Sequence, residues 1–133
     1  MGIKMARYSN LFKRQGESVI RTELQPIRYK NDKPSVAIYR DQGIYVTGGD
    51  SYSRRNMKIV MRYSIKNDKW DVKLPSMNEG RSCHGSCFMR NQLYCFGGRR
   101  FTEDWDNSWI SSIEFLDVIQ QNAKWNLIAL PVG

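Results

Sequence analysis

One short stretch of the chain concentrates the side chains that could do chemistry. It contains Cys83, His84, Cys87 and Cys95. Thiolate and imidazole groups are preferred zinc ligands when they converge tetrahedrally on the metal. A cysteine beside a histidine can also act as a nucleophile with its base, provided that a third group orients the histidine. A zinc site and Cys–His catalysis are therefore the two chemistries to weigh.

The segment after these cysteines contains two further charged motifs. Glu103, Asp104 and Asp106 are acidic enough to attract Ca²⁺, but they lack the spacing of a calcium-binding loop. Residues 97–100 read Gly-Gly-Arg-Arg and could contact phosphate, but they lead from a strand into a loop and open no helix. A solvated loop is the simpler interpretation of both motifs.

An internal repeat predicts the elements that position these groups. The doublet Gly48-Gly49 recurs as Gly97-Gly98, 49 residues further along the chain. Each doublet follows an apolar strand, a two-residue polar turn and a second apolar strand that contains a tyrosine. The pattern predicts the same β-hairpin twice.

The second hairpin argues against a shared metal site. A turn at Arg90-Asn91 pairs Cys87 with Tyr94 and Ser86 with Cys95, so Cys87 and Cys95 point to opposite faces of the sheet. His84 likewise points away from its neighbour Cys83. We therefore expect no metal, no cofactor and no catalytic residue, and we interpret the thiols as buried groups that fill small spaces.

Each hairpin continues into two more predicted strands, and the whole unit resembles the kelch repeat, the four-stranded blade of a β-propeller. In the first unit Tyr63 and Trp70 bracket the turn between the third and fourth strands, and Leu74-Pro75-Ser76-Met77 runs through Arg81 into the next unit. The second unit departs from the pattern. Its tyrosine position is Leu116 or Phe115, and two extra residues precede Trp125.

The resemblance implies an all-β fold of two four-stranded antiparallel blades, a partial propeller with a basic N-terminal extension. It also implies that the repeated glycines and aromatics build the fold and bind nothing. These structural residues are Gly48, Gly49, Tyr63, Trp70, Gly97, Gly98 and Trp125.

Four segments are expected along the chain. Residues 1–17 form the basic extension, interpreted as a helix, a tail or a transit segment, because Met1, Met5, Tyr8 and Phe12 fall at helical spacing. Residues 18–33 contain an outer strand of a preceding blade and a linker. The two blades occupy residues 34–81 and 82–133.

In kelch domains, partner binding is expected at the face formed by the loops between the second and third strands and between blades. Arginine with tyrosine and tryptophan is the composition of protein-interface hot spots, and arginine pairs bidentately with carboxylates. We therefore expect a non-catalytic scaffold that binds a protein partner, including an acidic one. The candidate contact residues are Tyr52, Arg54, Arg55, Asn78, Arg81, Arg99, Arg100, Phe101, Trp105 and Trp109.

The charge distribution leaves an alternative open. The net charge is +8, with +5 in residues 1–33, +5 in 34–98 and −2 in 99–133. A basic surface attracts nucleic acid through sequence-independent phosphate contacts. Electrostatic nucleic-acid binding, or a structural role in a larger RNA-containing or mitochondrial assembly, is therefore the second hypothesis.

Length and cysteine content complete the expectations. At 133 residues the chain holds two blades, whereas propellers have about four to eight. We expect a fragment of a longer propeller, a homo-oligomer, or a subunit whose partners cover the exposed blade edges. Three cysteines and the absence of a long apolar run indicate an intracellular protein without a membrane span, cytoplasmic or mitochondrial.

Overall fold

The computed structural model describes residues 9–24, 31–51, 54–102 and 107–130. Every regular element in these ranges is a strand, so the described chain has no helix that could cross a membrane. The strands are β1 (Ser9–Gln15), β2 (Ser18–Leu24), β3 (Ser35–Tyr39), β4 (Gly43–Thr47), β5 (Val60–Ser64), β6 (Lys69–Asp71), β7 (Gly85–Met89), β8 (Gln92–Phe96), β9 (Arg99–Phe101), β10 (Asn107–Trp109), β11 (Ser112–Asp117) and β12 (Asn126–Ala129).

Two four-stranded antiparallel sheets form the body of the protein. Blade 1 has the strand order β3-β4-β5-β6, and blade 2 has the order β7-β8-β11-β12. Each blade is a meander, because consecutive strands are joined by turns or by the loop that follows the glycine doublet. The predicted all-β fold with two four-stranded blades is confirmed.

The core lies between the two blades. Side chains alternate along each strand, so Ala37, Tyr39 and Tyr45 of blade 1 meet Leu93 and Leu116 of blade 2. Burying a side chain such as Leu93, which is fully covered, contributes about 2 kcal/mol. Blade-to-blade packing, rather than either sheet alone, therefore closes the core.

The hairpins match the predicted register, with one difference in turn length. Cys87 lies opposite Tyr94 and Ser86 opposite Cys95, as the sequence predicts. In blade 1 the turn has three residues, 40–42, and the backbone N–H of Gln42 donates to the carbonyl of Tyr39. The two-residue turn predicted for blade 1 is therefore wrong, and β3 aligns with β7 at an offset of 50 residues rather than 49.

The same backbone staple precedes each blade. Asp32 and Asp50 exchange two backbone hydrogen bonds before blade 1, and Ser82 and Arg99 do so before blade 2. A side-chain donor adjoins each staple: Asn31 Nδ2 donates to the Gly48 carbonyl at 2.8 Å, and an Arg81 nitrogen donates to the Gly97 carbonyl at 3.0 Å. We call the two arrangements the first and second seams.

A hairpin occupies part of the N-terminal region for which a helix was one interpretation. β1 pairs with β2 along its whole length, from Ser9 opposite Leu24 to Gln15 opposite Ser18. The helical interpretation of residues 1–17 is thus wrong for residues 9–15, while residues 1–8 lie outside the described ranges. The strand expected from Ser18 is present as β2, with β1 as its partner.

The face of blade 2 that points away from blade 1 is exposed and apolar. Met89, Phe96 and Ile128 on this face expose 56%, 44% and 43% of their surface. Tyr94 and Phe115 stack beside them, with ring centroids 5.3 Å apart. We call this surface the far face of blade 2.

Candidate functional site

The loops that follow the glycine doublets lie together at one end of the two blades. Gly48 has φ +63° and Gly98 has φ +87°, values that disfavour any residue with a Cβ. A Cβ at Gly48 would lie 2.3 Å from the Arg81 carbonyl oxygen, and one at Gly98 would lie 2.6 Å from that of Ser82. The doublets therefore turn the chain out of each sheet where the seam passes close by.

The loop after blade 2's doublet contains a small ribbon that the sequence did not predict. β9 and β10 pair antiparallel, with Trp109 opposite Arg99 and Asn107 opposite Phe101. Because residues in direct register share a face, Trp109 lies beside Arg99 and Phe101. Residues 103–106 are outside the described ranges, so the acidic group Glu103, Asp104 and Asp106 is too.

Phe101 joins the loops of the two blades. Asn56 of the first loop donates through Nδ2 to the Phe101 carbonyl and accepts from its backbone N–H, both at 2.8 Å. The guanidinium groups of Arg55 and Arg99 lie 4.9 Å and 5.2 Å from the Phe101 ring centroid. We call this arrangement the Phe101 clasp. Cation–π contacts of this kind contribute about 0.5–1 kcal/mol each at exposed sites.

Four of the predicted contact residues remain exposed around the clasp. Trp109 exposes 79% of its surface, an unusual degree for a tryptophan. Arg54, Arg55 and Arg100 are also exposed. We call these four residues the loop surface, namely Arg54, Arg55, Arg100 and Trp109.

Five further predicted contact residues are engaged in the fold or lie outside the described ranges. Arg99 and Phe101 are half-buried within the clasp. Tyr52 and Trp105 belong to the undescribed residues. Asn78 is exposed, but its Nδ2 donates to the Trp125 carbonyl at 3.0 Å and its backbone N–H donates to Glu114 at 2.6 Å, so it fastens the linker between blades.

Arg81 is not on the loop surface, which corrects the expectation that it faces a partner. Its side chain is fully buried and pairs with Glu114 at 2.9 Å. It also donates to the Gly97 carbonyl and to the carbonyl and hydroxyl of Ser112. A buried charge must be paired and hydrogen-bonded to be tolerated, and this network satisfies that need. Sequence alone cannot distinguish such an arginine from a solvated one.

The cysteine and histidine group is dispersed. Cys95 is buried, whereas Cys83 and Cys87 are exposed, so only Cys95 fits the interpretation as a buried thiol. Within the described ranges no three His, Cys, Asp or Glu side chains lie close enough to hold a metal. Burial raises the pKa of the Cys95 thiol to about 11, which leaves it protonated and unreactive.

His84 lies between the blades and contacts blade 1. Its Nε2 and the Thr47 hydroxyl form a hydrogen bond of 2.8 Å, and its Nδ1 is buried without a partner. Burial first, and the Arg81 charge second, lower the pKa of His84 to about 4. The imidazole is therefore neutral at physiological pH, and no carboxylate orients it for catalysis within the described residues.

The repeated aromatics serve the fold. Tyr63 is buried, its ring centroid lies 5.4 Å from that of Trp70, and its hydroxyl donates to Asp68 at 2.5 Å. Burial, and then the Asp68 contact, raise the pKa of Tyr63 to about 12. Trp125 is buried and donates from Nε1 to the Pro75 carbonyl at 2.9 Å. These contacts occupy the polar atom of each ring.

A depression beside the clasp includes residues that the sequence did not single out. It encloses about 470 Å³ between Lys33, Asp50, Arg55 and Phe101, with Asp32 and Ser51 also at its edge. The sequence pattern assigns Lys33 only to a linker and Asn56 only to a polar loop. The seam and the clasp bring them to the loop end, and neither contact has a local sequence signature.

Comparisons with known proteins match this architecture. The kelch motif matches residues 80–129. The chain is 29% identical over 110 residues to Kelch repeat and BTB domain-containing protein 2 of Horsepox virus, covering 83% of this chain and 19% of that protein. It is 38% identical over 56 residues to Kelch-like protein 26 of Danio rerio, and this match covers 42% of this chain and 9% of that protein.

A solved structure agrees with the fold. The structure of YjhT, a kelch β-propeller, superposes with a TM-score of 0.73 at 14% identity. The match covers 93% of this chain and 45% of YjhT. The chain thus spans about a fifth or less of the length of these two curated relatives, and less than half of this propeller.

Proposed function

The chain is built of kelch repeats on a partial β-propeller, and from this premise we propose that it binds a protein partner through its loop surface without catalysing a reaction. The single observation that carries the proposal is Trp109, which exposes 79% of its surface beside Arg99 and the clasp. Exposed tryptophan next to arginine is the composition that dominates interface energetics.

The chemistry of the loop surface favours an acidic partner. Arg54, Arg55 and Arg100 are exposed at the same end of the molecule, and the whole chain has a net charge of +8. Arginine offers a planar fork of donors that matches a carboxylate, and like-charged partners are repelled before contact. The partner segment would therefore combine Asp or Glu with an apolar residue that packs on Trp109.

The clasp supports the proposal through rigidity. Asn56 fixes the Phe101 backbone from the neighbouring loop, and Arg55 and Arg99 hold its ring. A surface that is ordered before binding loses less conformational entropy when a partner arrives. The contacts of the clasp thus hold the loop surface in place before a partner binds.

A selection experiment tests the proposal. Peptides selected from a random displayed library on the unmodified chain should be enriched in Asp and Glu. Their affinities, measured by calorimetry, should fall about tenfold or more with Trp109→Ala and with Arg100→Ala. Arg90→Ala, which removes an exposed arginine at the opposite end, is the matched control. Peptides without acidic enrichment, or equal binding by all variants, would contradict the proposal.

A structural subunit is the second candidate function, and the far face of blade 2 favours it. Met89 and Phe96 lie at opposite ends of the β7–β8 hairpin but on the same face, together with the stacked rings of Tyr94 and Phe115, so the exposed apolar surface is extended rather than isolated. A second copy or another subunit would bury them. The unpaired thiols of Cys83 and Cys87 suit a reducing, intracellular setting for either function.

A further inference from the structure

We propose a second binding site, in the cleft between the two blades at the turn end of the molecule, which takes a carboxylate carried on a small apolar group. Arg62 is the counter-ion for the carboxylate. This site lies away from the loop surface, since it is formed near the 40–42 turn and the end of β11. It is therefore independent of the protein-binding proposal.

The cleft has the size and lining of a site for one small group. It encloses about 280 Å³, and Leu74, Pro75, Leu116 and Ala123 provide its apolar wall. Arg62 and Tyr45 line the side that belongs to blade 1. Ligand pockets combine an apolar wall with polar groups that fix orientation, and this cleft has both, with a volume just below the usual range.

The repeat shows that the blade itself does not require an arginine at this position. Arg62 lies opposite Tyr45 in blade 1, as Phe115 lies opposite Tyr94 in blade 2. In blade 2 the two rings stack, with centroids 5.3 Å apart. An aromatic side chain therefore serves the sheet at this register position, whereas blade 1 places a charge there, at the cleft.

Arg62 has an unused donor. Its Nε is shielded from solvent and has no hydrogen-bond partner. Gly43 leaves room for it, since a Cβ on Gly43 would lie 3.2 Å from that nitrogen. Because this Nε has almost no accessible surface, a carboxylate in the cleft would bind the outer nitrogens of the guanidinium group, which are donors in the same planar fork.

Two carboxylates lie near Arg62, and that of Asp117 lines the same cleft, but both accept backbone N–H groups rather than an arginine donor. Asp71, opposite Arg62 in register, accepts the backbone N–H of Lys73 at 2.9 Å. Asp117 accepts the backbone N–H groups of Ile119 and Gln120, each at 3.1 Å. Arg62 forms no salt bridge with any residue that the structure describes. Its charge thus remains available to a ligand.

One wall of the cleft is formed by a turn that is longer in blade 2 than in blade 1. The turn between β11 and β12 is two residues longer, measured to its tryptophan, than the corresponding turn of blade 1. Gln120, Asn122 and Ala123 of this longer turn line the cleft opposite Arg62. The insertion therefore deepens the space beside the charge.

Titration of the ¹⁵N-labelled chain with N-acetyl-leucine, followed by NMR, tests the site. We expect saturable shifts at the Arg62 Nε resonance and at the Leu74 and Ala123 amides, with a dissociation constant on the order of 1 mM for so small a ligand. N-acetyl-leucinamide, which lacks the carboxylate, should produce no saturable shift at Arg62. Equal binding of acid and amide, or no saturable shift with the acid, overturns the proposal.

Two variants and a second probe sharpen the result. Arg62→Gln should weaken binding about tenfold or more, whereas Lys124→Gln, which removes an exposed charge beside Ala123, should not. Unchanged binding by Arg62→Gln overturns the proposal. The acid–amide comparison on the unmodified chain remains decisive if Arg62→Gln fails to fold. Equal affinity for 4-methylpentanoate identifies a free acid as the ligand type, and a preference for N-acetyl-leucine identifies a peptide carboxyl terminus.

Discussion

Two buried polar residues lie at the second seam in different surroundings. Glu114 and three further acceptors surround the guanidinium of Arg81, whereas His84, which lies beside the same arginine, is held neutral. The fold thus depends on one buried ion pair and on one imidazole that must stay unprotonated. Neither requirement can be deduced from residue type, because both depend on the contact between blades.

Acid should destabilise the protein through His84. Its pKa is about 4 in the folded chain against 6.5 when unfolded, so the unfolded chain binds the extra proton between these values. Stability is then full above pH 6.5 and falls as the pH drops toward 4, by up to about 3 kcal/mol.

Urea denaturation at several pH values measures the loss, and His84→Gln should remove much of the pH dependence while keeping a hydrogen bond to Thr47. Since the chain has one histidine, its NMR titration is unambiguous. A midpoint near 6.5 in the folded chain would contradict the expectation.

The two doublets offer a matched pair of glycines. Gly48 and Gly97 have nearly the same φ, +63° and +64°, but a Cβ at Gly48 would lie 2.3 Å from the Arg81 carbonyl, whereas the nearest contact at Gly97 is 3.9 Å. Gly97→Ala should cost about 1–2 kcal/mol for the backbone conformation alone. Gly48→Ala adds the clash and should exceed about 4 kcal/mol. Equal urea midpoints for the two variants would show that the seam can move aside.

At the scale of elements, the repeat predicts most of the two blades and little of what surrounds them. The register around Cys87 and Tyr94 follows from a two-residue turn and strict alternation. The ribbon β9–β10 is too short and too polar to have a strand pattern, and it exists because Asn56 of another loop fastens it. Gly16, which has a positive φ in the two-residue turn between β1 and β2, is a sequence signal for the N-terminal hairpin. The helical spacing of the apolar residues before it points instead to a helix.

The residue types of the candidate site can likewise be predicted from the sequence, whereas the burial and contacts of individual residues cannot. Its composition, arginine with aromatic residues after each doublet, was evident from the sequence, and Trp109 and Arg100 are exposed as a contact surface requires. Arg81 shares that composition but is buried, since Glu114 and the carbonyls of Gly97 and Ser112 in blade 2 surround its guanidinium. Arg62 had no sequence signal, because its significance depends on which strand of the other blade it faces.

The clasp should control the order of β9. Asn56→Ala removes the two hydrogen bonds to the Phe101 backbone, each worth about 1 kcal/mol. Hydrogen exchange at the Phe101 amide should then accelerate about tenfold or more, while amides of β4 keep their protection. Asn67→Ala, in an exposed turn, is the control. Unchanged exchange at Phe101 would mean that the two arginines alone hold the ribbon.

At the scale of the whole molecule, both blades expose apolar side chains on the faces that point away from each other. The blades cover one another through the core, whereas β3 of blade 1 exposes Val36 and Ile38 and the far face of blade 2 exposes Met89, Phe96 and Ile128. In a stack of blades each sheet relies on a neighbour to cover its second face, so the exposed one favours association. The two blades correspond to 45% of the YjhT structure, so this chain matches a part of that fold.

The far face should make the chain self-associate. Light scattering on the unmodified chain should give a mass that rises with concentration above the 15.6 kDa of one copy. Met89→Lys with Phe96→Lys should restore a monomer, whereas Ile119→Lys, at an isolated exposed residue, should not. A constant monomeric mass for the unmodified chain would remove the structural-subunit candidate.

The two seams also have a consequence for how the chain comes apart. Each seam couples a blade to the segment before it, so the chain behaves as a row of units with nearest-neighbour coupling. Blade 1 is the unit that is held on both sides, by the first seam at Asn31 and by the second seam at Arg81. Unfolding should therefore proceed inward from both ends, and β4, which lies between β3 and β5 inside blade 1, should be the last of the described strands to open and should show the slowest amide hydrogen exchange.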